Sequence, residues 1–160
     1  MRMTRETVVM GDFWPGNVLI SLAQKPAEGA DGLGVGIAKA YVIDWELVKT
    51  GLAGVDIAQF VAELQLIHEF KPEGREATSS VRDAFLSAYR QVAGGAADLG
   101  VARRALTHVG AHFVAWTPRV GWEGKEKVRE TVRKGVDLLI EGPEVSEEYV
   151  KHSMLSRLIE

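Results

Sequence analysis

Apolar and polar positions change rhythm once along this chain of 160 residues, near residue 50. Before that point aliphatic and β-branched residues gather in short runs, Thr7 to Met10, Val18 to Leu22 and Ala40 to Ile43. Turn formers such as Pro26, Gly29, Asp31 and Gly32 divide them. Short apolar runs bounded by Gly, Pro and Asp read as strands. Beyond residue 50 the apolar residues recur at helical spacing. Ile57, Phe60, Val61, Leu64 and Ile67 form one stripe, and Val81, Phe85, Tyr89 and Val92 form a second. A third runs from Leu99 through Ala102, Leu106, Val109 and Phe113 to Trp116, and a fourth joins Val128, Val132, Val136 and Leu139.

Punctuation supports those helices. Thr78, Ser79 and Ser80 offer N-caps for the second, Gly94-Gly95 ends it, Pro118 separates the third from the fourth, and Gly142-Pro143 closes the fourth. A last amphipathic piece is predicted roughly from Val145 to Leu158. Strands first and helices afterwards predict an α+β fold, mostly helical. The expected organisation is a single domain over 1–160, with a β-rich segment over 1–50 and a helical part over 54–159.

Composition narrows the class. Hydrophobic residues make up 46% and charged residues 26%, which is ample for a packed core. The net charge of −3 comes without clustered Lys and Arg, so no nucleic-acid partner is expected. The absence of cysteine excludes disulfides, thiolate zinc sites and a cysteine nucleophile. The charged start, Met1 to Glu6, leads into too short an apolar run for a signal peptide, and no run is long enough to span a bilayer. The expected location is therefore cytoplasmic, with no membrane partner.

Two acidic segments carry the candidate chemistry: Gly11-Asp12-Phe13-Trp14-Pro15-Gly16-Asn17, and Tyr41-Val42-Ile43-Asp44-Trp45-Glu46. Moving the γ-phosphoryl group of ATP to a hydroxyl needs a carboxylate that orients the attacking oxygen and takes its proton. It also needs hard oxygen ligands that hold Mg²⁺ against the phosphates. Asp12 suits the first task. Asn17, beyond the Pro15-Gly16 turn, offers an amide oxygen to a metal, Asp44 an anionic ligand at a strand end, and Glu46 a second carboxylate. The same Asp and Asn spacing also suits a plain turn, in which both side chains bond to nearby backbone.

With these residues in view, the chain resembles the aminoglycoside phosphotransferase and choline kinase family, whose members share the fold of protein kinases. The resemblance lies in a Gly-Asp-x-x-x-x-Asn loop, matched by Gly11, Asp12 and Asn17, and an Ile-Asp-x-Glu segment, matched by Ile43, Asp44 and Glu46. Asp44-Trp45 looks like the aminoglycoside branch. Glu46 and Gly54-Val55-Asp56-Ile57 with Phe60 look more like methylthioribose and choline kinases. The family often has histidine before the glycine, where this chain has Met10.

The resemblance implies an ATP- and Mg²⁺-dependent kinase acting on a hydroxyl of a small polar acceptor. Asp12 would be its base, and Asn17, Asp44 and Glu46 would sit at the metal. Asp56 would brace the loop through backbone hydrogen bonds. It further implies that the chain is the C-terminal lobe alone, since too few residues precede Asp12 for the nucleotide-binding lobe. The expected partner is then that missing lobe or a second copy of the chain, covering an apolar surface around Phe13, Trp14 and Trp45. The isolated chain is expected to bind nucleotide weakly or not at all and to be inactive by itself. A non-catalytic binding module that kept the lobe and lost the chemistry is the alternative reading. A stand-alone Mg²⁺-dependent hydrolase is less well supported, since neither a separate nucleophile nor a second metal cluster is evident.

The remaining features have structural readings. Gly32-Leu33-Gly34-Val35-Gly36 reads as a connection between strands, because no helix opens after it to cradle phosphate. His108 and His112 share a helical face but lack the intervening Glu of a metalloprotease motif, so they read as packing residues. Trp116 and Trp122 serve either as core anchors or as walls of a substrate cleft. Glu141, Glu144, Glu147 and Glu148 read as a solvated acidic stretch, or as a rim that attracts a cationic substrate.

Overall fold

A computed structural model of the chain describes residues 6–23 and 36–160. Apart from Gly36, the glycine-rich tract therefore lies outside the described residues. The axis of the fold is α1, Val55–Phe70, whose apolar residues occupy most of its circumference. Ile57, Ala58, Phe60, Val61, Ala62, Leu64 and Leu66 are all buried. A helix this apolar on all sides needs several neighbours. α2, Arg75–Ala93, and α3, Leu99–Trp116, both pack on it, and α4, Lys125–Glu141, packs in turn on α3.

α3 and α4 approach so closely that their backbones touch. A Cβ on Gly110 would lie 2.6 Å from the carbonyl oxygen of Gly135, and one on Gly135 would lie 2.9 Å from that of Gly110. Only glycine fits this crossing. Val101, Ala102, Ala105, Leu106, Val109 and Phe113 carry the α3 side of the core, with Leu86 from α2 and Leu138 from α4.

Two helical boundaries differ from the sequence expectation. α2 starts at Arg75 rather than after the Thr78–Ser80 cluster, because the 3₁₀ turn Pro72–Gly74 already sets helical geometry. The Thr78 hydroxyl instead donates back to the carbonyls of Gly74 (2.9 Å) and Arg75 (3.1 Å). The amphipathic tail is likewise not one helix. It consists of α5, Glu147–Lys151, and a 3₁₀ turn, Ser156–Leu158. Between them the Ser153 hydroxyl donates to Val150 O and accepts from the Leu155 amide, replacing the helical ladder with local bonds. Val150, Leu155 and Leu158 are nevertheless fully buried.

The β part consists of two antiparallel pairs. β2, Val18–Leu22, lies against β3, Ile37–Val42, with Val18 opposite Val42. β1, Glu6–Val9, pairs with β4, Lys49–Leu52, a strand that the sequence reading does not contain. The whole is α+β. Among the described residues no helix is long and apolar enough to cross a membrane.

Candidate functional site

β1 delivers the chain into the core through Val9 and Met10, both buried, and the first acidic segment begins there. Asp56, in the first turn of α1, clamps the entry: one carboxylate oxygen accepts the Met10 amide at 2.8 Å and the other the Gly11 amide at 2.9 Å. Gly11 sits at φ +84°, and a Cβ there would lie 2.8 Å from Leu47 O, so the turn requires glycine. Met10 holds its place through its buried side chain and this backbone bond. Phe13 then packs over α1 and α2, stacked on Phe60 with ring centroids 5.0 Å apart and tilted against Phe85 at 5.9 Å, while those two rings touch each other at 4.6 Å. Pro15–Asn17 closes the loop as a 3₁₀ turn, with the Asn17 amide donating to Trp14 O.

Asp12 is held from two sides. Gln59 Nε2 donates to Asp12 Oδ1 at 2.6 Å, and Asn17 Nδ2 donates to Asp12 Oδ2 at 3.3 Å and to Asp12 O at 2.9 Å. Because Asn17 spends its amide nitrogen on Asp12, its Oδ1 is turned away from that residue and accepts no bond from the described residues. Asn17 itself is only 7% exposed.

The second acidic segment joins the first through the backbone, since the Ile43 amide donates to Asn17 O at 3.0 Å. Asp44 follows directly. It has φ 67° and ψ 58°, and among the described residues it is the one non-glycine at positive φ. A left-handed backbone costs an ordinary L-residue about 1–2 kcal/mol, with Asp and Asn the tolerated exceptions. Strain of this kind gathers where a side chain must be aimed. Trp45–Leu47 forms a 3₁₀ turn, fixed by Trp45 Nε1 donating to Val42 O at 2.8 Å, and exposed Glu46 lies in that turn.

The structure thus bonds Asp12 directly to Asn17 and sets Asp44 one residue beyond a backbone tie to Asn17. Glu46 makes no hydrogen bond to either. Among the described residues no three His, Asp or Glu side chains gather tightly enough to form a ready-made metal cluster. The donor set of Asn17 Oδ1 and the Asp44 carboxylate nevertheless fits Mg²⁺, which takes one or two protein oxygens and completes its shell with phosphate and water.

Gln59 was not among the sequence candidates. A lone glutamine carries no motif signal, but position 59 lies one turn beyond Asp56 on the same helical face, and that spacing was the available clue.

The surroundings are electrostatically uneven. Burial, and then the negative charge of Asp56, push the Tyr89 phenol above its usual value. Burial, followed by the neighbouring His112, pushes His108 below the usual histidine range, while Asp56 opposes that shift. His112 is buried and bonded to Glu63 at 2.7 Å. Trp122 stacks on Phe70 at 4.9 Å, whereas Trp116 stands half exposed with Arg119 over its ring. Glu141, Glu144, Glu147 and Glu148 are all exposed, and Glu147 pairs with Lys151 at 2.8 Å. Of the apolar residues expected at the surface, Trp14 is 39% and Trp45 54% exposed, and half-buried Phe13 packs on Phe60 while lining a hollow beside Trp45.

No family model matches the chain. Two fungal proteins, each named 4-hydroxytryptamine kinase, are similar to it. The one from Psilocybe cubensis is 31% identical over 134 residues, covering 83% of this chain and 33% of the relative. The one from Psilocybe cyanescens is 28% identical over 141 residues, covering 88% of this chain and 36% of the relative. The chain therefore spans about a third of the length of these curated relatives.

Proposed function

We propose that the chain carries the catalytic segment of an ATP-dependent kinase that phosphorylates a hydroxyl on a small polar acceptor, in a protein-kinase-like fold of the aminoglycoside phosphotransferase and choline kinase type. The observation that carries this reading is the double restraint on Asp12. Gln59 and Asn17 each donate to one carboxylate oxygen, while Asp56 fixes the two backbone amides just before it. A general base needs this kind of fixed aim at the proton it accepts. The similarity to two proteins named as kinases of a hydroxylated amine supports the same reading.

In this reading Asp12 orients the acceptor hydroxyl and takes its proton as the oxygen attacks the γ-phosphorus, with ADP leaving. Asn17 Oδ1 and the Asp44 carboxylate would hold Mg²⁺, with exposed Glu46 as a further carboxylate, directly or through water. A metal held by these residues would supply neutralisation of charge on the phosphate oxygens. Gln59 keeps Asp12 from swinging away. Asp56 has no chemical step and holds the loop. The exposed Trp14 and Trp45 suit a face covered by another lobe of the same protein or by a second copy.

The test is ADP release with Mg-ATP and a panel of small hydroxyl acceptors, hydroxylated aryl amines among them, by the protein supplied in trans with the nucleotide-binding lobe of a family member. Asp12→Asn is expected to lower kcat about 10²- to 10⁴-fold with little change in KM for ATP. With the 160-residue chain, Mn²⁺ and ADP should broaden the resonances of Asn17 and Asp44 and fail to do so in Asp44→Asn. Acceptor-dependent turnover that survives Asp12→Asn, or broadening indifferent to Asp44→Asn, would overturn the assignment.

A further inference from the structure

A cavity of about 500 Å³ lies along α3, between the start of α1 and the end of α4, and takes no part in the phosphoryl-transfer reading. Its floor is one stripe of α3: Gly100, Arg103, Arg104, Thr107, His108 and Ala111. These positions recur every three or four residues, so they share a helical face, and the small residues Gly100 and Ala111 leave the hollow at its two ends. The opposite wall is apolar, built by Leu52 and Val55 on one side and Leu139 and Pro143 on the other.

Both arginines are anchored by one nitrogen. Arg103 Nε donates to Val145 O at 2.8 Å and Arg104 Nε to Ala53 O at 3.2 Å. Each anchor fixes its guanidinium on a different rim of the cavity, one beside the segment after α4 and the other beside the entry to α1. A guanidinium carries five N–H donors, and here one of each is used. Neither arginine pairs with a carboxylate among the described residues, although both are half-buried. Two pre-aimed cationic forks over a hollow whose other polar side chains are only Thr107 and His108 are costly unless an anion meets them, since ordering and partly desolvating a charge is repaid by a charged partner. The volume lies within the range of small-molecule pockets, whose usual make-up is apolar walls with a few fixed polar groups. His108, shifted toward its neutral form by burial, adds a wall that does not compete for the anion.

We propose that this cavity binds an amphipathic anion: a carboxylate or phosphate head held by Arg103 or Arg104, with an apolar body lying against Leu52, Val55, Leu139 and Pro143. The Arg104 anchor touches Ala53, three residues before the aspartate that clamps the Asp12 loop, so an occupied site would stiffen the root of that loop. This site stands independently of the kinase reading, because its residues are none of those assigned to phosphoryl transfer.

Four probes decide it by calorimetry and amide chemical shifts: octanoate, octyl phosphate, octan-1-ol and inorganic phosphate. At least one of the two anionic amphiphiles is expected to bind with Kd below about 1 mM and to shift the amides of Arg103, Arg104, Thr107 and His108. Whichever of the two binds more tightly identifies the head group. The alcohol and the bare phosphate should each bind at least about tenfold more weakly.

The double variant Arg103→Gln with Arg104→Gln should lose at least about tenfold in affinity for the anionic amphiphile. Ala111→Phe, which fills the apolar end and leaves both arginines in place, should do the same, with circular dichroism checking that each variant keeps its helices. The proposal is overturned if neither amphiphile binds, if octan-1-ol or inorganic phosphate binds as tightly as the amphiphile, or if a folded Ala111→Phe binds like the wild type.

Discussion

The helical body and the β arm are held by different physics. Every residue of the main hydrophobic cluster falls between Ile57 and Leu158, so the helices bury one another. Along β3, by contrast, all six residues from Ile37 to Val42 are exposed, and in β2 only Val18 is even partly covered. The candidate site sits on the seam. Asp12 and Asn17 lie just before β2 and Asp44 just after β3, yet what fixes them comes from the helices: Asp56 and Gln59 on α1, and Phe60 and Phe85 beneath Phe13. The lesson is that the arm presents the acidic residues while a few directional bonds, rather than bulk burial, set their aim.

Three substitutions probe that division. The largest effect belongs to the helical body. Phe113→Ala, in a side chain with no exposed surface, should cost about 3–5 kcal/mol and be visible as a lowered urea midpoint. A loss below 1 kcal/mol would mean that the α1–α3 core is not the main source of stability. Next comes the seam. Asp56→Ala leaves the amides of Met10 and Gly11 without their acceptor and should cost about 1–3 kcal/mol, with hydrogen exchange of those two amides accelerated while α3 stays protected. Equal acceleration across α3 would show that seam and body unfold together. The smallest effect is expected in the arm, where Ile20→Lys on exposed β2 should change stability by no more than about 0.5 kcal/mol. A larger loss in thermal denaturation would reveal packing against the hairpin and narrow the contrast.

The sequence made the helices legible because their apolar stripes are long and their ends carry Gly or Pro. The left-handed Gly94 follows α2, and Gly142 follows α4, as the punctuation indicates. β4 was not legible. Lys49-Thr50-Gly51-Leu52 has no alternation to speak of, and its glycine is there because a Cβ would press on Val9 at 2.6 Å, a cross-strand constraint no local pattern records. The tail misled for the opposite reason: its apolar spacing is helical, but Ser153 diverts the backbone hydrogen bonds. At the site, Asp12, Asn17 and Asp44 were conspicuous as a motif. Gln59 was not, because its part depends on where α1 lies against the loop. Phe13 is half-buried, and a loop aromatic beside Trp14 gives no sign of the Phe60 and Phe85 rings on which it packs.

That aromatic has a mechanical consequence. With its ring seated on the touching pair Phe60 and Phe85, the residue next to Asp12 cannot move far without giving up the aromatic stack beneath it. The carboxylate therefore behaves as a fixed post, and any adjustment needed to bring reacting atoms into line must be made by whatever approaches it.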